Sequence, residues 1–465
     1  MECIFSVKTI AQAVGGEMIN CASCESVMIS SVSTDTRTIK DGAVFVALRG
    51  ENSDGHNYLK TAIESGALCC IADRNGDLPD DIPLILVKDT GQALLDLSAA
   101  YRREFDIPVI AVTGSVGKTS TRAMLAGVLS QKYKVLCTDG NFNNEIGVPH
   151  TLFRLSREHQ IAVIEMGMNH FGELSRITAA AKPDAAVITN VGEAHIENLG
   201  SREGILKAKL EVLEGMSHGG TVILNGDNDM LWSINGTLDY ETMYFGIQNS
   251  KCDIVAENVK TYPESSEFTF KADGEEYRVI IGTPGAHHIY NALTAILVGM
   301  QYNVPIDDII CGIREFVPVG MRQATVRLGG CILIKDCYNA NPTSMRSGLE
   351  VLSLKADAKR RVACLGDMME LGTISEKAHR EIGRLIPEFN VDCLITVGER
   401  AKLIAEGAKN AGMNADSIHS FENNSQLCDN IMDILEDGDV ILLKASRSMR
   451  LEEIAEFLEK KLTNR

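Results

Sequence analysis

The sequence predicts an α/β protein of three domains: a small mixed α/β N-terminal domain over residues 1–106, a central doubly wound, mostly parallel sheet with a phosphate loop over 107–316, and a C-terminal Rossmann-like α/β domain over 317–465. Three observations carry this expectation. Short β-branched apolar runs alternate with segments whose apolar residues recur at helical spacing, the pattern of strand–helix units in a parallel sheet. At 465 residues the chain is too long to grow around one core. Polar and charged clusters follow directly after the apolar runs, which puts the chemistry at the carboxyl ends of strands, where open α/β sheets bind ligands.

In the first domain Val7–Val14 reads as a helix, followed by the apolar run Val27–Val32. Val44–Leu48 and Ala67–Ala72 read as strands, Leu59–Ser65 as an amphipathic helix, and Asp89–Phe105 as the helix leading to a boundary at Pro108. Lys40-Asp41-Gly42 is a turn. In Ser33-Thr34-Asp35-Thr36-Arg37 the carboxylate and guanidinium stand two residues apart and can orient one another, either as a surface ion pair or as the frame of a diphosphate or base-edge site.

The central domain opens on Ile107–Thr121. Val109–Val112 is apolar enough for a buried parallel strand and Arg122–Leu129 continues at helical spacing, so Thr113–Thr119 is a strand-to-helix turn. Such a turn suits phosphate. Gly114 and Gly117 let the backbone approach an anion, Lys118 adds a point charge, and Ser115, Thr119 and Ser120 contribute hydroxyls, Thr119 being placed for Mg²⁺. The string is the short form G-x-x-G-K-T, with Val112 where the longer phosphate-loop pattern has glycine.

Val135–Thr138, Ile161–Met166, Ala185–Thr189 and Val222–Leu224 supply further strands. Gly140–Pro149, with Asn141 and Asn144, is dense in amides that can hold phosphate oxygens or a carboxylate. Glu165 ends one strand and His195 follows another; with Thr119 they form a candidate metal set. On the next helix Ile205, Leu206, Leu210 and Leu213 mark the apolar side, which leaves Lys207 toward solvent with Lys209 flanking it, both reading as solvated lysines. Asn291, on a helix that starts at Gly285, reads as a helix-surface asparagine or as a reader of a base edge. In the last domain Ile332–Ile334, Val362–Leu365, Cys393–Val397 and Val440–Leu443 are strands, with polar ends at Asp336–Pro342, Gly366–Gly372 and Lys444–Ser448.

Composition narrows the function class. A formal charge of -18 argues against general affinity for nucleic acid, although a local cation such as Lys118 still binds phosphate. No apolar run reaches the about 18 residues that cross a bilayer, and no secretory signal is evident, so a cytoplasmic location is expected. The 13 cysteines are scattered, and Cys21/Cys24 and Cys69-Cys70 have no second pair at zinc spacing, so reduced, buried thiols are expected.

Taken together, Thr113–Thr119, Asn141–Pro149, Glu165-Met166-Gly167, Asn190–His195, Lys207-Ala208-Lys209, His287–Asn291 and Asp336–Pro342 resemble the Mur ligases of peptidoglycan synthesis. With Asp35-Thr36-Arg37 and Asp54-Gly55-His56 the resemblance runs over nearly the whole chain. It implies an amide ligation in which ATP phosphorylates the terminal carboxylate of UDP-MurNAc-tripeptide and the amine of D-alanyl-D-alanine displaces phosphate. By the same resemblance Lys118 and the turn amides hold the β- and γ-phosphates, Thr119 and Glu165 serve a first Mg²⁺, and His195 serves a second. Lys209 corresponds to a carbamylated lysine that acts as a carboxylate-like metal ligand, with Lys207 as the alternative position. Asn291 meets adenine, Arg322 the γ-phosphate and Asp336 the ribose, while Asn144 lies near the reacting carboxylate. Ser33, Asp35, Arg37 and Asn141 are assigned to the UDP-linked substrate, and Asn339, Asn341 and Asp367 to the incoming dipeptide.

The chain departs from the family pattern at His288, which stands in place of asparagine, at Met321, inserted between Gly320 and Arg322, and at Ala445, in place of glycine. A relative that adds a different amino acid would carry Asp-Asn-Pro-Arg in the third domain, and that string is absent. A nucleotide-gated switch protein would have no need of Glu165, His195 and Lys209 together. The expected protein is a monomer without nucleic-acid or membrane partners, in which domain closure brings Lys118 and Asp336 to one nucleotide.

Overall fold

The computed structural model describes residues 1–2, 5–50, 53–73, 81–355 and 358–462. The strands and helices read from apolar periodicity are present close to their expected limits. Of the run Val27–Val32, only its end contributes to a strand, Ser31–Ser33. The seven-stranded sheet has the order Ile254–Val255, Glu241–Gly246, Thr221–Asn225, Ala185–Ile188, Val109–Thr113, Ile161–Glu165, Val135–Cys137. The chain packs as two compact units: Met1–Thr113 with Tyr133–Ala186 and Leu210–Thr221, and Gly114–Lys132 with Val187–Lys209 and Val222–Arg465. Lys118 and Asp336, assigned to different domains from the sequence, therefore lie in one unit.

The first unit contains a five-stranded sheet, ordered Glu17–Ile19, Leu84–Val87, Ala67–Asp73, Ala43–Val46, Ser31–Ser33 and parallel except at its first pair. Ala67–Asp73 is buried along nearly its whole length, as a central strand covered on both faces must be. Val109–Thr113 pairs in parallel with Ile161–Glu165, and that strand with Val135–Cys137, so that Val112 stands opposite Glu165 and both chain directions end on one edge. The helix Thr90–Arg102 begins at Asp89, whose Oδ1 accepts the Gln92 N–H at 2.8 Å. It ends on Arg102, a buried guanidinium that donates to the carbonyls of Ala181 (3.1 Å), Phe105 (2.5 Å) and Ile107 (2.8 Å). This fan of hydrogen bonds fixes the approach to the strand Val109–Thr113.

The second unit contains a six-stranded sheet in the order Ala324–Leu328, Cys331–Lys335, Asp439–Lys444, Arg360–Gly366, Cys393–Val397, Ile418–Phe421. Its first pair is an antiparallel hairpin and the rest are parallel. Separate apolar clusters cover its two faces, one built on Met345, Leu349, Ile382 and Ile404, the other on Leu427, Ile431, Ile454 and Leu458. This unit also holds a three-stranded antiparallel sheet, Glu257–Thr261, Ser266–Ala272 and Glu275–Ile281, that the strand–helix alternation did not foretell. Its sequence signal is Asp273-Gly274, both at positive φ, between runs that alternate apolar and polar residues.

The cysteines among the described residues are free thiols, most of them buried. Burial pushes the Cys21 and Cys393 thiols up to about 11 and the Cys70 thiol up to about 12.

Replacing the Arg102 side chain by an apolar one of similar length leaves buried carbonyls without a donor. Arg102→Met is expected to cost about 2–3 kcal/mol, read as a lower midpoint in urea unfolding.

Candidate functional site

The site is built on the turn after Val109–Thr113, a strand buried throughout. Gly117, at φ 89, takes the left-handed conformation that starts the helix Lys118–Ser130, and no side chain caps that helix. The first-turn amides therefore project as a group of donors with the positive end of a 13-residue helix behind them, a natural seat for phosphate. A Cβ at Gly114 would collide with Thr189 Oγ1, so the close approach of the two segments requires glycine there. Lys118 folds back over the turn, Nζ donating to the Gly114 carbonyl at 2.8 Å. Ser115 and Thr119 are buried and Ser120 is half-buried.

The segment Thr189–Gly192 laces this turn. Asn190 Oδ1 accepts the Val116 N–H at 2.9 Å, while Asn190 Nδ2 donates to the Val116 carbonyl at 3.0 Å. The Ser115 N–H donates to the Asn190 carbonyl (3.1 Å), Thr189 Oγ1 to the Val116 carbonyl (2.6 Å) and the Gly192 N–H to Ser115 Oγ (3.0 Å). His195 follows at φ 64, and Glu370 Oε2 lies 2.6 Å from its Nδ1.

Lys209 corrects the reading of both helix lysines as solvated. It is 2% exposed, whereas Lys207 is exposed. The buried side of Arg202–Leu210 consists of Ile205, Leu206, Ala208 and Lys209, with Leu210 only half-buried, so the covered face is rotated from the one the leucines suggested. Burial first and the like charge of Lys118 second hold the Lys209 amine well below the usual lysine range.

Asn291 is likewise buried rather than on the helix surface; its Oδ1 accepts from Thr121 Oγ1 at 2.9 Å, and its Nδ2 has no hydrogen-bond partner. Beside it in sequence, His288 is buried with neither ring nitrogen hydrogen-bonded, its ring 4.2 Å from that of His287 and 5.5 Å from that of Phe316. Asp336, buried at the end of Cys331–Lys335, pairs with the buried Lys444 at 2.8 Å. Burial raises the Asp336 carboxyl, and the charges of Lys444 and Arg322 oppose that rise. Arg322 lies 3.8 Å over the Tyr338 ring.

Three residues assigned to the dipeptide have local tasks. Asn341 caps the helix Pro342–Ser353, its Oδ1 accepting the Ser344 N–H at 2.9 Å and Ser344 Oγ accepting the Asn341 N–H at 3.0 Å. Asp367 Oδ1 accepts the Ala401 N–H at 2.7 Å, and the exposed Asn339 accepts the Ala340 N–H through its own Oδ1 at 2.8 Å.

In the other unit, Glu165 is 1% exposed and receives a hydrogen bond from Asn143 Nδ2 at 2.8 Å. Asn143 was not singled out from the sequence, where it is one amide among several. Asn144 Oδ1 accepts the Gly147 N–H at 2.8 Å, and Asn141 is exposed. Asp35 and Arg37 form a two-pronged pair, Nε to Oδ1 at 2.9 Å and Nη2 to Oδ2 at 2.7 Å, which holds the Asp35 carboxyl at about 2. Ser33 Oγ donates to the Asp35 carbonyl at 2.9 Å.

The second unit thus unites Gly114–Ser120, His195, Lys209, Asn291, Arg322 and Asp336, and the first holds Ser33, Asp35, Arg37, Asn141, Asn144 and Glu165. The uncapped helix, the glycine approach and the unpartnered amide of Asn291 fit a nucleotide. Among the described residues no group of three or more His, Cys, Asp and Glu is gathered for a metal.

Burial moves the His287 ring from its usual 6.5 down to about 4. Between those values the unfolded chain takes up a proton that the folded chain refuses, so stability is full above pH 6.5 and is lost as the pH falls toward 4. His287→Gln is expected to reduce that loss, seen as a smaller drop in the urea midpoint between pH 7 and pH 4.5.

Comparison with known proteins gives this geometry a context. Residues 28–133 match the Mur ligase family catalytic domain, residues 112–299 the Mur ligase middle domain, and residues 321–447 the Mur ligase glutamate ligase domain. The chain is 37% identical to the UDP-N-acetylmuramoyl-tripeptide--D-alanyl-D-alanine ligase of Bacillus subtilis, over 97% of this chain and 98% of that one. Crystal structure I of MurF from Acinetobacter baumannii superposes with a TM-score of 0.89 at 30% identity, covering 98% of this chain and 99% of that one. MurF ligase from Thermotoga maritima in complex with ADP gives a TM-score of 0.82 at 27% identity, over 93% and 98% of the two chains. Similarity that extends from end to end, on a chain whose phosphate turn is laced as described, makes this protein a member of the Mur ligase family.

Proposed function

We propose that the chain is an ATP-dependent ligase that joins D-alanyl-D-alanine to UDP-N-acetylmuramoyl-tripeptide, forming the pentapeptide precursor of peptidoglycan. The observation that carries this reading is the full-length identity to the Bacillus subtilis ligase of that name. The ADP complex of the Thermotoga maritima relative supports ATP as the nucleotide.

ATP supplies the phosphoryl group that turns the tripeptide carboxylate into a good acyl donor. The protein then has two tasks, alignment of two anions and neutralisation of their charge. Lys118 and the amides at the start of Lys118–Ser130 hold the terminal phosphates. Thr119 and Glu165 would serve a first Mg²⁺ and His195 a second, with Lys209 as a further ligand once carbamylated. Asn291 receives the adenine through its unpartnered Nδ2. Asp336, fixed by Lys444, takes the ribose, Arg322 stabilises the γ-phosphate, and Asn144 attends the reacting carboxylate. The three-part layout follows substrate by substrate: 1–106, with Ser33, Asp35 and Arg37, and Asn141 beyond it, for the UDP-linked tripeptide; 107–316 for ATP; 317–465, with Asn339, Asn341 and Asp367, for closure and the dipeptide.

Lys209 is assigned as the carbamylated lysine. Burial and the like charge of Lys118 favour its neutral amine, the form that adds to CO₂; the new N–C bond forms as one proton leaves that nitrogen for solvent, and a carbamate anion replaces the neutral amine. That anion would face the charge of Lys118 and would offer a metal an oxygen ligand.

Purified chain given ATP, Mg²⁺, UDP-MurNAc-tripeptide and D-alanyl-D-alanine is expected to release ADP only when both acceptor and dipeptide are present; ADP release that ignores either one overturns the reaction. Lys209→Ala is expected to lose at least ~100-fold in kcat and to recover part of it with added short carboxylates. Undiminished activity in that variant removes the carbamate.

A further inference from the structure

The loop after the strand Arg360–Gly366 makes an unusual approach to the segment that carries His195. Both His195 and Glu370 sit at positive φ, 64° and 62°, a conformation that non-glycine residues keep only where neighbours hold them. Each is held by the other's segment. The Glu370 carbonyl accepts the Glu197 N–H at 3.2 Å, and its carboxylate Oε2 lies 2.6 Å from His195 Nδ1, off the N–H axis in this conformation. Gly372, at φ 49, comes so near Glu197 that a Cβ there would be 3.2 Å from the Glu197 Cα. Ile196 packs against the apolar cluster of the six-stranded sheet, and Thr343 Oγ1 donates to Glu193 Oε2 at 3.1 Å.

The loop itself is tied down beneath Glu370. The Met368 N–H donates to Nε2 of the fully buried His379 at 2.9 Å, and His379 Nδ1 donates to the Ser375 carbonyl at 2.7 Å. The Met369 N–H donates to Ser446 Oγ at 2.8 Å. Against this fixed base the Glu370 side chain is 48% exposed, so its carboxylate contributes little to the core while lying beside His195.

We infer that Glu370 is a positioning residue for His195: its carboxylate selects the imidazole tautomer protonated on Nδ1 and sets the ring orientation, which presents Nε2 as the ligand atom. A carboxylate behind a ligating histidine commonly does both. The inference rests on the reading of His195 as a ligand-bearing residue of the phosphate site. It adds that the part of the chain after residue 317 supplies the group that makes His195 competent, so the loop Asp367–Gly372 acts on the nucleotide side as well as on the dipeptide side.

The test uses the full chain labelled with ¹⁵N-histidine, without nucleotide, at pH 8. His195 is expected to show the Nδ1–H tautomer in the wild type and to revert in Glu370→Ala to the Nε2–H form that free imidazole prefers, with the melting temperature unchanged. In turnover assays Glu370→Ala is expected to lower kcat about 10- to 100-fold with KM for the dipeptide unchanged. Glu370→Gln, whose carbonyl still accepts from Nδ1–H, should recover part of this, and Glu370→Ala should add no further loss in a His195→Ala background. An unchanged tautomer in Glu370→Ala, or losses that multiply in the double variant, overturns the inference. A wild-type chain without ligase activity overturns the proposed reaction instead and leaves the NMR result to decide the pairing.

Discussion

The site depends first on one amide side chain. Asn190 both accepts from and donates to the peptide group of Val116, and its own carbonyl receives the Ser115 N–H. A glycine-bracketed turn is soft by itself, because the residues that let it approach an anion also leave it many conformations. Double attachment to Asn190 removes that freedom before any ligand arrives, so less ordering remains to be done on binding. The same attachment fixes where the chain goes next, and five residues further on it reaches His195. The phosphate seat and the histidine are thus set by a single short segment.

The buried cations of this acidic protein meet their surroundings in contrasting ways. Lys444 has the Asp336 carboxylate, Lys355 has Glu264 at 2.8 Å, and Arg102 has a fan of carbonyls. In each case a partner offsets the loss of water. Lys209 is buried with a like charge as its neighbour, and both push its amine well below the usual lysine range. That surrounding favours a reactive amine over a structural cation, which sets Lys209 apart from Lys207, two residues away on the exposed side.

How far the sequence could be read follows from the range of each interaction. Strands such as Val109–Thr113 and Cys393–Val397 were legible because burial on both faces leaves a continuous apolar run. The antiparallel strands around Asp273-Gly274 were passed over because one face is open to solvent, so that Glu267 and Lys271 interrupt the apolar run of Phe268 and Phe270, although the turn dipeptide announced them. The burial of Lys209 and Asn291 was hidden for another reason: a helix face is defined by what packs on it, and a polar residue at its margin can fall on either side. Asn143 behind Glu165, Glu370 beside His195 and Lys444 under Asp336 are partners joined across 22, 175 and 108 positions, and no local pattern encodes such pairings.

Thiol burial has a practical corollary for anyone handling this chain. With Cys21, Cys70 and Cys393 pushed up to about 11 or 12, almost none of these sulfurs is present as the thiolate that reacts with alkylating reagents near neutral pH. Their modification must wait until the surrounding strands part. Cysteines spread through both compact units therefore serve as built-in clocks, each recording how often its own neighbourhood opens.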